Sequence, residues 1–177
     1  MSRYRALVSE FLALAHVLGP LLLLVSTLMY AFGIGLNSDG FSSYVEGVIG
    51  VYALMLFIPI YMSSADLVGA EKPGHGLAVF VAGLVGACGG VFAMGYRVVV
   101  GSLDKSGMPS DVMATYMAER VTHWEMVAMA PATISFPIAS ILLSVGLLRL
   151  NERRIKRFIP VLLILAGLAF LVAQGTV

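Results

Sequence analysis

Cysteine is nearly missing from this chain, and charge is scarce. The one cysteine, Cys88, lies in an apolar run without a partner. That excludes a disulfide framework, a CxxC redox centre and a cysteine-held iron–sulfur cluster, and leaves Cys88 as a small packing residue. Charged residues make up 12% of the chain, against roughly 25% in a soluble domain. With 59% of its residues hydrophobic, the chain has too little polar surface to cover a water-soluble globule, so lipid is the expected solvent. A net charge of +1 provides no basic face for a polyanion, which excludes nucleic acid as a partner.

Catalytic signatures are missing too. There is no GxSxG, no HExxH, no glycine-rich loop leading through a lysine into a helix, and no pair of aspartates within an apolar run. Glu119 and His123 stand four apart, an acid–base spacing, but no nucleophile or metal ligand accompanies them. A bis-histidine haem needs two ligands at matching depth, whereas His75, His16 and His123 fall at inner, central and outer levels; His16 with Met55 matches only in depth. Met108, Met113, Met117, Met126 and Met129 gather near His123, the soft donors of a copper(I) site, yet methionine equally fills irregular membrane interfaces. No catalytic residue, metal or cofactor is assigned, and the balance leans away from an enzyme.

What is present is organised around the stretch 149–157, Arg-Leu-Asn-Glu-Arg-Arg-Ile-Lys-Arg, which holds five of the eleven Lys and Arg residues between two apolar runs. Such clusters stay on the cytoplasmic side of a membrane. The apolar runs predict an all-α, polytopic membrane bundle forming one domain of five transmembrane helices, over 6–35, 44–64, 75–101, 124–148 and 158–173, each near the ~20 residues that a bilayer core demands. Arg3 and Arg5 precede an apolar run far longer than the roughly 7–15 residues of a signal peptide, so it too reads as a span. With 149–157 inside, the N-terminus is cytoplasmic and the C-terminus outside, in the cell (inner) membrane. Eight basic residues then lie inside and three outside. The outer loop 102–123 is long enough for its own amphipathic helix, with Met113, Tyr116, Met117 and Val121 on one face and Asp111, Thr115 and Glu119 on the other.

Ionisable groups within spans are costly and usually face the bundle or a cavity. Arg97 follows Gly86, Gly90 and Ala93 on one stripe of the third span, and small stripes let helices approach closely. Glu46 and Glu125, with His123 and Glu119 nearby, lie at the same outer level, so Arg97 is expected to pair with Glu46 or Glu125. His16 sits near mid-membrane with Ser9, Ala13, Pro20, Thr27 and Tyr30 within about 60°, a small and polar face expected to turn inward. Pro20 cannot donate to the His16 carbonyl, which predicts a kink there. Glu10, Asp66, Glu71 and His75 are expected to be solvated boundary groups.

Two functional classes follow. In the first the protein is a packing or accessory component, in a homo-oligomer or larger membrane complex, with Gly86, Gly90 and Ala93 as the partner face. In the second, Glu46, Arg97, His123, Glu125 and Glu119 form an outward-facing pocket for a small molecule or ion. A dry ion pair favours the first and a spacious polar cavity the second. Arg149, Arg153, Arg154, Lys156 and Arg157 would bind anionic lipid.

Overall fold

A computed structural model describes residues 3–34, 44–109, 111, 112, 115, 124–149, 161 and 164, with side chains in the fourth helix from residue 134 onward. Among them the fold is all-helical: α1 Arg3–Ala31, α2 Tyr44–Gly69, α3 Pro73–Lys105 and α4 Trp124–Arg149. The first three are long and apolar enough to cross a membrane. At 1.5 Å per residue, even the 26 residues of α2 exceed a bilayer core of about 30 Å. The fifth span, 158–173, lies outside the described residues except for Val161 and Ile164. Of the outer-loop helix only Asp111, Val112 and Thr115 are described; they are helical, and the Thr115 hydroxyl donates to the Asp111 carbonyl at 2.9 Å.

Three helix ends differ from the sequence expectation. The first helix stops at Ala31, short of residue 35, because Gly33 takes the left-handed conformation with φ 65°. Its N–H donates to the Tyr30 carbonyl, and the Ile34 N–H donates to that of Met29, the paired bonds of a Schellman cap. Gly107, with φ 81°, closes α3 in the same way through bonds to Asp104 and Leu103. The second helix runs past residue 64 to Gly69, so Asp66 stands on a helix and not in a loop. Only 70–72 separate α2 from α3, and Pro73 occupies the first turn of α3, where its missing N–H costs nothing.

In this bundle α3 lies between α2 and α4, and α1 packs on α2. Tyr61, Ala65, Val68, Val79, Ala139 and Leu143 form the core. Phe57, Tyr61 and Phe136 pack ring to ring, with centroids 5.3–5.9 Å apart, near edge-on where α2 meets α4, as aromatic quadrupoles prefer. Ser140 donates to the Phe136 carbonyl at 3.2 Å, so the bond between Tyr61 and Ser140, 3.1 Å, carries the tyrosine proton.

The small-residue stripe on α3 is used within the chain. A Cβ added to Gly86 would lie 2.6 Å from the Phe136 backbone, and one on Gly90 would meet the Leu54 side chain. Within the chain Gly86 is thus packed on α4 and Gly90 on α2, with Gly90 and Ala93 half-buried. Close approach of helices needs small residues on whichever pair meets first, and here that pair is internal.

Candidate functional site

The end of the bundle where α2 begins holds the one ion pair among the described residues. Glu46 opens α2 in its first turn, where a carboxylate also complements the helix dipole. Arg97 stands on α3 about two turns before its end. Nη1 of Arg97 donates to both carboxylate oxygens of Glu46, at 2.9 and 3.1 Å. Glu46 is 1% exposed. The guanidinium also lies 4.7 Å from the centre of the Tyr30 ring on α1, a cation–π contact that strengthens away from water. One arginine thus joins three helices. Beside it, Lys105 lies 4.5 Å from the ring centre of Tyr44, a second cation–π tie between α3 and α2.

A backbone bond completes this joint. The buried Ser26 hydroxyl of α1 donates to the Glu46 carbonyl at 3.2 Å. In a helix that carbonyl points toward residue 50, which is glycine; a Cβ there would crowd the Ser26 oxygen at 3.2 Å. The same device recurs at the other end. His75 is half-buried, and its Nε2 donates to the Leu142 carbonyl of α4 at 2.7 Å. The residue four further on is Gly146, where a Cβ would lie 3.2 Å from that nitrogen. His75 is therefore a tie between helices and not a solvated boundary group. His75→Ala should destabilise the protein by about 1 kcal/mol, the net worth of one such bond, measured as a shift in the denaturant midpoint in detergent.

The Glu46 carboxylate accepts two bonds from one guanidinium and is 1% exposed, so both its oxygens are engaged by Arg97. Two cavities at the opposite end of α2 are lined by other residues. Of the five residues expected to cluster, the structure brings together Glu46 and Arg97. Glu119 and His123 lie outside the described residues, and so does the Glu125 side chain. Among the described residues, no three His, Cys, Asp or Glu side chains gather as metal ligands.

His16 corrects a second expectation. It is exposed, as are Ser9, Ala13, Pro20, Thr27 and Tyr30, whereas Ala15, Gly19 and Ser26 are buried. Those buried residues lie roughly 60–100° around the helix from His16. Their small side chains let α1 settle on α2: Gly19 lies against Leu56 and Ile60, and Ser26 reaches Glu46. The His16 ring turns back along its own helix, Nδ1 lying 2.7 Å from the Leu12 carbonyl. Because a carbonyl only accepts, Nδ1 carries the proton of that bond. No polar pocket forms around His16 among the described residues.

Tyr30 is the member of the joint that the sequence did not reveal in that role. It is the last residue but one of α1, and neither that place nor its hydropathy marks it for a cation.

Among the described residues the fold is thus all-helical, with three helices long and apolar enough to cross a membrane, as in a membrane helical protein. Comparison with family models, curated proteins and solved structures finds no match to this chain.

Proposed function

We propose that this protein is a packing or accessory component of a membrane assembly, formed first with a second copy of itself through α1. The observation that carries this is the polar flank of α1, which no described helix covers. His16 is exposed near the centre of a 29-residue apolar helix. An imidazole facing hydrocarbon is costly, and helix partners in membranes meet through small and polar residues. Ser9, Ala13, Pro20 and Thr27 supply such a surface on either side of His16. Two-fold pairing is the commonest form of self-association and sets equal depths of this face against each other. The closed Glu46–Arg97 pair supports a scaffold over an outward ligand pocket.

In this proposal the chain crosses the cell membrane five times with its N-terminus cytoplasmic, and 149–157 rests on anionic lipid headgroups at the inner face. Arg149, the described member of that stretch, is exposed.

Cysteine cross-linking tests the pairing. In a Cys88→Ser background, Ser9→Cys and Thr27→Cys should each yield a disulfide-linked dimer on oxidation in membranes. Tyr52→Cys, exposed on α2, should not. Absence of both α1 dimers, or equal dimerisation through position 52, would overturn the proposal.

A further inference from the structure

Where α2 turns into α3, a groove of about 420 Å³ is lined by Ala65, Asp66, Gly69, Pro73, Gly76, Leu77 and Phe80. Its polarity is graded along the membrane normal. Glu71 and Lys72, exposed in the turn, mark the water side. Asp66 lies three residues before the end of α2, roughly 5 Å deeper, and Phe80 lies seven residues into α3, roughly 10 Å deeper. One wall thus offers a carboxylate at headgroup level, while Leu77, 62% exposed, and Phe80 continue it into hydrocarbon. Among the described residues no cation pairs with the Asp66 side chain. The helices cannot close the groove by tilting together, because α2 and α3 are already in backbone contact behind it: the Gly76 Cβ position lies 2.5 Å from the Gly69 Cα.

We propose that this groove seats a phospholipid whose headgroup carries a primary ammonium. The Asp66 carboxylate receives the ammonium, and Leu77 and Phe80 line the start of an acyl chain. An ammonium donates three hydrogen bonds to such an acceptor, whereas a quaternary choline donates none, so the seat discriminates between the two commonest zwitterionic headgroups. A soluble amine would gain the carboxylate but leave the apolar wall uncovered.

The test uses full-length protein equilibrated with vesicles of equimolar phosphatidylethanolamine and phosphatidylcholine, then extracted, with the retained lipid quantified by mass spectrometry. Wild type should retain the ethanolamine lipid over the choline lipid by about two- to fivefold, as expected for a partly solvated ion pair. Asp66→Asn should return the ratio to its input value, and Asp66→Glu should keep the enrichment. Asp66 is exposed, so folding does not depend on its charge. Wild-type retention at the input ratio, or enrichment that survives Asp66→Asn, would overturn the assignment.

Discussion

Arg97→Ala should destabilise the protein by about 3–5 kcal/mol, because removing one partner strands a buried charge. The stranded group is Glu46, 1% exposed, and the variant also loses the contact with the Tyr30 ring. Glu46→Gln should cost less. The Arg97 side chain is 25% exposed, so a guanidinium deprived of its carboxylate can still lean toward water and keep the Tyr30 face. The two changes are not additive. Combining Arg97→Ala with Glu46→Gln removes both charges, and should leave the protein more stable than Arg97→Ala alone, the sign of a coupled pair in a double-mutant cycle. Unfolding by denaturing detergent, followed by circular dichroism, ranks the variants. Equal losses for Arg97→Ala and the double variant would mean that the ion pair contributes nothing of its own.

Gly86→Val should come close to preventing folding. The added Cβ alone would stand 2.6 Å from the Phe136 N and Cα, and backbone cannot swing aside as a flexible side chain can. Overpacking of this kind costs typically 1–3 kcal/mol and occasionally more; two further methyl groups against an opposing helix place it at the upper end. Glycine in a helix interior is itself unfavourable by about 0.5–1 kcal/mol relative to alanine, so a glycine with open surroundings behaves oppositely. Gly95 has no heavy atom within 4 Å of its Cβ position. Gly95→Ala should therefore stabilise by up to about 1 kcal/mol, while Gly86→Ala destabilises despite the same gain in propensity. The pair, compared by thermal unfolding in one detergent, separates helix propensity from helix approach.

The long helices were legible because a bilayer imposes a length that composition alone reveals, as in α2 and α3. Their ends were less so. Asp66 read as a loop residue, but α2 holds its hydrogen bonds as far as Gly69, and only Glu71 of the pair lies in the turn before Pro73 restarts the chain. The pairing of Glu46 with Arg97 could be anticipated from their common depth. Tyr30 could not, since a ring face carries no hydropathy signal that marks it for a cation. Orientation was the harder matter. A polar sector on α1 can face the bundle or leave it, and the choice fell to Ala15, Gly19 and Ser26, whose small side chains fit α2 more closely than the His16 flank. Likewise the stripe of Gly86 and Gly90 announced a helix contact without naming its partner, which proved to be this chain's own α4 and α2. Gly50 and Gly146 gave no signal of their partners: a Cβ would first meet the Met94 and Val68 side chains, and it would also crowd the donors that reach the Glu46 and Leu142 carbonyls.

The scaffold account rests on the flank of α1 being a joint, and the mass of the protein in discs of native membrane, cut out without detergent, tests this most directly. The wild-type protein should appear as a pair of 18.8 kDa chains, and His16→Leu, Ser9→Leu and Thr27→Leu together should appear as single chains with the helix content unchanged. A wild-type protein found only as a single chain would contradict the account.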